Sequence, residues 1–235
     1  RLSRARGAAT VLQVNEPLVQ NKETRIAWLS NLWHVRGRLS PTCAFATLKE
    51  GCDGLTTSDT VDMYNGSPER YNWELVGKKE IYVPYNSYLL HSDKLKYKDI
   101  LTPLHLNPDY RRYELHRVWV VEGTVRPDKR HTIARRVFYI DEDHWMISAV
   151  DGYDTRGDLW RVSEHLPQVI FEGPSCIANG SLLYDLVAGR YVITPAFNEE
   201  KEPIYEHLGM PAEERTLGDD KGLFKPDDLR RMGKR

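Results

Sequence analysis

The chain has 235 residues, with 33 Lys+Arg against 34 Asp+Glu and a formal net charge of −1. Neither sign of charge dominates, so nothing in the composition indicates a nucleic-acid partner or an anionic membrane surface. Hydrophobic residues make up 40% and charged residues 29%, which is typical of a globular protein rather than a disordered one. No apolar run approaches the roughly 20 residues of a membrane-spanning helix. The chain begins with Arg1 and no signal peptide is evident, so we expect a mature form or a fragment.

The first part of the chain, residues 1–52, has the weakest pattern. Its short apolar patches, IAWL at 26–29 and LWHV at 32–35, show no sustained period, although a short helix over 23–32 is compatible with them. We therefore predict an irregular N-terminal segment over 1–52 and a β domain over 53–235. Cys43 and Cys52 could form a disulfide in an oxidising compartment or remain unpaired thiols.

The clearest pattern lies between residues 112 and 160. Four apolar runs follow one another, at 113–125, 132–141, 144–153 and from 158 onward. In the first run Leu115, Trp119 and Val121 fall on one face, which is the period of two that a pleated strand imposes. The polar connectors between the runs are so short that consecutive strands must be antiparallel neighbours. We predict an antiparallel meander.

Further strands flank this meander. Residues 71–75 and 81–85 alternate, and Pro84 places their strand at a sheet edge because proline donates no backbone hydrogen bond. Downstream, Pro167 is expected to interrupt the fourth strand, and the remaining predicted strands are 168–172, 179–186 and 189–194. A short helix is expected at 96–101, and another begins at Pro226 near the C-terminus.

Histidines and carboxylates give one candidate metal site. His116, His131 and His144 lie on or beside adjacent predicted strands, and Asp141, Glu142 and Asp143 crowd the turn before His144. Imidazole and carboxylate are zinc ligands, so a metal-dependent enzyme is one hypothesis. The alternative is that these turn carboxylates are simply solvated.

Other catalytic patterns are weaker. Ser163, Glu164 and His165 are adjacent, but no Gly-x-Ser-x-Gly elbow is present. No phosphate-binding glycine loop occurs. The basic residues around 129–136 include Arg135 and Arg136, which must point to opposite faces of a strand, so a solvated surface is the favoured interpretation.

Aromatic side chains are frequent in the predicted strands. They could line a cavity for an apolar ligand on one face of a curved sheet, or they could form an ordinary core. The aromatic residues in or near strands are Trp73, Tyr82, Tyr85, Tyr88, Trp119, Phe138, Tyr139, Trp145, Tyr153, Trp160, Tyr184 and Tyr191.

Several long motifs resemble a known family. They are NGSPERYNWELVGKKEIYVPYN at 65–86, RYELHRVWVVE at 112–122, ARRVFYIDED at 134–143 and GDLWRV at 157–162. These motifs are similar to an uncharacterised family of Gram-negative periplasmic proteins described as outer-membrane lipoprotein-sorting-like, in the LolA/LolB superfamily. The match runs from about residue 54 to 235 and resembles the C-terminal half of the family, while residues 11–52 match poorly.

The resemblance implies a fold and a function. The fold would be mainly β: a curved antiparallel sheet, part of a half-open LolA/LolB-like barrel, with a few short helices. The function would be non-enzymatic binding or transfer of a lipid or other hydrophobic ligand in the periplasm, without a cofactor. An outer-membrane protein or a resistance-nodulation-division type exporter would be the partner.

Five side chains are our predicted ligand-binding residues, namely Trp119, Val121, Tyr139, Trp145 and Trp160. A ligand-free scaffold that docks an envelope complex through its sheet edge is the first alternative. The metal-dependent enzyme at His116, His131 and His144 is the second alternative.

Overall fold

A computed structural model describes residues 10–15, 26–31, 37–39, 52, 54–171, 175–194 and 198–199. The predicted helix at Pro226 and the Cys43 partner of the suggested disulfide lie outside the described residues, and Cys52 is a free thiol.

A small antiparallel sheet lies in the N-terminal part of the chain. It contains β1 (Thr10–Asn15), β2 (Ile26–Asn31) and β3 (Gly37–Leu39), in the order β1-β2-β3. The segment 1–52, which we expected to be irregular, thus contains three strands. The suggested helix over 23–32 is wrong, since β2 occupies most of it. The division of the chain at residue 52 stays a prediction.

The main body is a seven-stranded antiparallel sheet in the order β10-β9-β8-β7-β6-β5-β4. Its strands are β4 (Tyr71–Pro84), β5 (Tyr113–Val125), β6 (Arg135–Asp141), β7 (Ile147–Tyr153), β8 (Leu159–Ile170), β9 (Ser175–Asp185) and β10 (Arg190–Thr194). Consecutive strands are neighbours throughout, which confirms the predicted meander. Strand β5 has the predicted bounds.

Bulges account for two differences from the predicted strands. The predicted runs 71–75 and 81–85 form the single strand β4. A bulge between Leu75 and Gly77 adds one residue, so the alternation of side chains between the two faces shifts there without ending the strand. The predicted interruption at Pro167 is wrong, since β8 continues past it with a register shift between His165 and Pro167. Pro84 does lie on an edge strand, as predicted.

The two faces of the sheet carry different side chains. Pairing of Gly123 with Arg136 and of Gly152 with Arg161 puts both arginines on what we call the arginine face. The opposite face, which we call the valine face, carries Val118, Val120 and Val137. Successive side chains of a strand leave opposite faces, so Phe138 joins the arginine face.

Residues 54–67 cover part of the arginine face. Met63 packs against Phe138 of β6 and Val150 of β7, and all three are buried. Tyr64 meets Phe138 edge to face, with ring centroids 5.4 Å apart. A segment without regular strands is thereby anchored by apolar contacts on the sheet.

Residues 86–111, which include the helix α1 (Tyr97–Ile100), cover β8 and β9 on the valine face. Leu90, Ile100 and Leu106 of this segment are buried against Leu166 and Leu182. This helix has the predicted position near 96–101. Among the described residues, no helix is both long enough and apolar enough to cross a membrane.

The sheet is strongly curved. Strand β4 approaches β7 and β8, although two and three strands separate it from them in the sheet order. The backbone amide of Ser87, just after β4, donates to the carbonyl of Pro167 in β8 at 2.9 Å. In the described part of the seven-stranded sheet, β4 and β10 are the two edge strands. The predicted mainly-β fold with a curved, unclosed antiparallel sheet and few short helices is confirmed.

Candidate functional site

A cavity of about 480 Å³ lies between residues 56–63 and strands β8, β9 and β10. It opens on the arginine face, and Met63 lines one side of it. Its lining consists of Thr56, Thr60, Val61, Asp62, Met63, Ser163, His165, Ala178, Gly180, Ser181, Leu182, Leu183, Val192 and Thr194.

Small residues in β9 leave the space for this cavity. Ala178, Gly180 and Ser181 lie close together in this strand, at positions where larger side chains would fill the gap beneath residues 56–63. A glycine within a strand often marks a bend or a close approach of a ligand or another segment. Gly180 has a φ of 128°, a backbone conformation that L side chains rarely adopt. Sequence patterns of large aromatics could not reveal a cavity formed by small residues.

A hydrogen-bonded pair of side chains, His165 and Asp62, marks the polar side of the cavity. His165 is buried, and its Nε2 lies 3.0 Å from Asp62 Oδ1. The hydrogen bond with His165 lowers the pKa of Asp62 below its ordinary value, against the opposing effect of burial. Asp62 and Met63 both have positive φ, at 51° and 68°, which is a strained conformation for residues other than glycine. This turn directs one carboxylate and one thioether to the cavity.

None of the five predicted ligand-binding residues lines this cavity. Trp119 and Val121 lie on the arginine face, where Lys78 Nζ sits 4.2 Å from the Trp119 ring centre and Val121 packs on the buried Met63 cluster. Tyr139 lies on the valine face and donates to Asp151 at 2.8 Å. The predicted set therefore does not share one face.

The other two predicted residues are also separate. Trp145 lies in the turn between β6 and β7, is 67% exposed and has a φ of 60°. Trp160 donates from Nε1 to Asp185 Oδ1 at 3.1 Å and lines an open recess together with Arg130 and His131. No observation tests whether any of the five contacts a ligand, and their role stays a prediction.

The structure separates His131 from the other two predicted histidines. The His131 side chain is buried on the arginine face, with Nε2 3.1 Å from Asp59 Oδ2. His116 instead approaches Asp141, with Nδ1 2.7 Å from Oδ2, and His144 Nε2 lies 3.8 Å from Asp141 Oδ1. The hypothesis that all three histidines converge is wrong, but two of them share one carboxylate.

Asp59, Arg136 and His131 form a buried charge network. Arg136 is 1% exposed, and its Nη2 donates to Asp59 Oδ2 at 2.5 Å. Burial alone would raise the pKa of Asp59, but the hydrogen bond with His131 and the charge of Arg136 lower it to about 2. Arg135 lies on the other face, as predicted, yet the expectation of a solvated surface is wrong for Arg136. This network fixes residues 57–59, which lead into the cavity wall.

Ser163 and His165 both line the cavity, but Glu164 points away from them. Its carboxylate accepts from Arg111 Nη2 at 2.7 Å and from the Tyr113 hydroxyl at 3.0 Å. His165 uses Nε2 for Asp62 instead. These three adjacent residues therefore do not form a catalytic triad.

Two solved structures share this fold. A DUF1329 family protein from Desulfovibrio piger aligns with a TM-score of 0.53 and 12% identity over 94% of this chain and 70% of the other. A domain from Vibrio parahaemolyticus, provisionally named an outer membrane lipoprotein-sorting protein, aligns with a TM-score of 0.52 and 12% identity over 94% and 71%. A LolA superfamily protein from Nitrosomonas europaea aligns with a TM-score of 0.41 and 8% identity over 79% and 80%.

Sequence comparison gives a nearer relative. The chain is 48% identical over 198 residues to the uncharacterized protein PA3922 of Pseudomonas aeruginosa, which covers 84% of this chain and 44% of that protein. It thus spans less than half of the length of the curated relative that it matches. The family of proteins of unknown function DUF1329 matches residues 3–230, a range that includes the segment 11–52. The resemblance seen in the sequence motifs is therefore confirmed, and the chain belongs to the DUF1329 family.

Proposed function

We propose that this chain is part of a non-enzymatic binding or transfer protein of the Gram-negative periplasm, and that it holds a lipid or other hydrophobic ligand. The observation that carries the proposal is the cavity of about 480 Å³ beside β8, β9 and β10. Cavities of about 300–1,000 Å³ are typical of small-molecule sites.

The cavity lining suits an amphiphile. Met63, Leu183 and Val192 provide apolar walls, against which hydrocarbon would be removed from water at about 25 cal/mol per Å² before ordering costs. His165 and the Asp62 carboxylate provide a hydrogen-bonded polar pair at one side. An alkyl chain would lie along the apolar walls, and its polar end would approach this pair.

The comparisons support the proposal through fold. The chain shares its fold with a domain provisionally named for outer membrane lipoprotein sorting. An envelope location and a partner such as an outer-membrane protein or a resistance-nodulation-division type exporter follow from that analogy and are part of the proposal.

A fluorescent long-chain fatty acid tests this proposal in solution. We expect saturable binding by the parent chain and at least about tenfold weaker binding by Ala178→Phe, since the phenyl ring would occupy the cavity. Ala188→Phe is the matched control, because Ala188 is exposed in the turn between β9 and β10, away from the cavity. Circular dichroism would establish that both variants remain folded.

The possible outcomes distinguish the positions of the ligand. Equal affinity in the parent and Ala178→Phe would exclude this cavity as the site. If Trp119→Ser or Trp160→Ser weakened binding instead, the ligand would contact the predicted aromatic residues. Absence of saturable binding in the parent chain would overturn the proposal.

One observation favours a second function, docking through the sheet edge. Strand β4 is an edge among the described strands, and Leu75 and Tyr82 on it are strongly exposed. Long exposed edges with apolar side chains are prone to pair with another strand. A scaffold would use this edge to pair with a strand of an envelope protein. Leu75→Lys with Tyr82→Lys should then abolish association in pull-down from envelope extract, while leaving fatty-acid binding unchanged.

A further inference from the structure

Four side chains converge at one end of the sheet. His116 lies near the start of β5, Asp141 ends β6, and Asp143 and His144 belong to the turn that leads to β7. One ligand atom from each of His116, Asp141 and Asp143 lies within 4.8 Å of the other two. His144 Nε2 is 3.8 Å from Asp141 Oδ1. One imidazole and two carboxylates thus lie close enough to share an ion, and a second imidazole, that of His144, lies beside the Asp141 carboxylate.

The turn itself is built around Asp141. The Asp141 side chain is fully buried, and its Oδ1 accepts from the backbone amides of Asp143 at 2.7 Å and His144 at 3.2 Å. These hydrogen bonds fix Oδ1 and thereby orient Oδ2 toward His116. Oδ2 lies 2.7 Å from His116 Nδ1, but the contact lacks the alignment of a hydrogen bond.

His144 presents a second unsatisfied atom. Its side chain is 8% exposed, and its Nδ1 accepts from the backbone amide of Met146 at 3.1 Å. That contact places the proton of a neutral ring on Nε2, yet Nε2 has no hydrogen-bond partner among the described residues. A buried polar group without a partner costs about 1–3 kcal/mol. Asp141 Oδ2 and His144 Nε2 therefore have close neighbours, at 2.7 Å and 3.8 Å, but neither makes a hydrogen bond among the described residues.

Tyr85 holds the two imidazoles in place. Its ring centroid is 4.2 Å from that of His116 and 5.4 Å from that of His144, and the His144 ring is nearly parallel to it at 10°. Rings held by aromatic contacts lose less conformational freedom when they bind a ligand. Asp143 is 74% exposed, so the open side of the cluster lies at this carboxylate.

We propose that His116, Asp141, Asp143 and His144 bind a divalent transition-metal ion, of which Zn²⁺ is the best match. A set of two imidazole nitrogens and two carboxylate oxygens suits Zn²⁺, which most often takes four ligands at about 2.0–2.2 Å. The ion would satisfy Asp141 Oδ2 and His144 Nε2 together. It would also join the start of β5 to the end of β6 and the following turn. None of these four residues lines the proposed ligand cavity, and the two proposals are tested by separate variants.

Metal titration of the chelator-treated chain tests the site. We expect one equivalent of Zn²⁺ by calorimetry, a visible absorption spectrum of four-coordinate Co²⁺, and a higher Tm with Zn²⁺ than without it. Asp143→Asn should weaken Zn²⁺ binding at least about tenfold and remove most of the Tm increase. This exposed position can change without loss of the fold.

Two further variants complete the test. His144→Gln should remove the Co²⁺ spectrum, whereas His105→Gln, at an exposed histidine elsewhere, should leave spectrum and affinity unchanged. Folding of each variant is checked by circular dichroism. Failure of the parent chain to bind Zn²⁺ stoichiometrically would overturn the proposal. So would equal Zn²⁺ affinity in the parent, Asp143→Asn and His144→Gln.

Discussion

Removal of Asp59 should show how strongly the buried charge network stabilises the chain. The pKa of Asp59 is lowered from 3.8 to about 2, which corresponds to about 2 kcal/mol at 1.36 kcal/mol per unit. This is the loss expected for Asp59→Asn, which removes the charge but keeps the shape. Asp59→Ala leaves Arg136 buried without its carboxylate, and such a change costs about 3–5 kcal/mol.

Urea denaturation followed by tryptophan fluorescence measures these differences through the transition midpoint. Asp93→Ala, at an exposed carboxylate, is the control and should change stability by less than about 0.5 kcal/mol. Arg136→Met in the Asp59→Ala background should recover part of the loss, because it removes the unpaired cation. A loss below about 1 kcal/mol for Asp59→Ala, or further destabilisation by Arg136→Met in that background, would refute this reasoning.

Three other predictions follow from the described residues. Burial lowers the pKa of His91 from 6.5 to about 4, so the unfolded state binds the proton more readily and the free energy of unfolding should fall by about 3 kcal/mol as pH drops from 6.5 through 4. Urea denaturation at several pH values should show a steeper fall in the free energy of unfolding for the parent than for His91→Gln. The same pH dependence in both proteins would contradict the prediction. Gly123→Ala would place Cβ 2.9 Å from the Trp73 ring, so the free energy of unfolding measured with urea should fall by about 1–3 kcal/mol. In a Trp73→Leu background the same substitution should lower it by less. Trp145→Gly should stabilise the chain by up to about 1 kcal/mol in the same assay, since it relieves a positive φ at an exposed side chain, and a clear loss would count against that.

The sheet could be predicted because its determinants are local. Alternation along 113–125 and short polar connectors define β5 and its antiparallel neighbours without any knowledge of distant contacts. Pro84 identified an edge strand for the same reason. Pro167 misled the prediction because a bulge in β8 accommodates it, and bulges depend on the partner strand.

The candidate sites depend on contacts that no local pattern encodes. Residues 54–67 show no strand period, yet they bring Asp59 to Arg136 and Met63 to the cavity. The convergence of His116 with Asp141 follows from the pairing of β5 with β6, which the meander does predict, but the burial of Asp141 does not follow from a turn sequence that is usually solvated. Trp145 was predicted to bind ligand from residue type alone, and the turn geometry exposes it.

The central claim, that the protein holds a hydrophobic ligand, is tested most directly by native mass spectrometry of the protein isolated with its complete chain from the bacterial envelope. The account predicts an additional mass that organic solvent removes and that is identified as a lipid or other hydrophobic molecule. This mass should persist in Ala188→Phe and be absent from a folded Ala178→Phe variant. A protein that carries no additional mass, and takes up none from added envelope lipids, would contradict the claim and favour docking through β4.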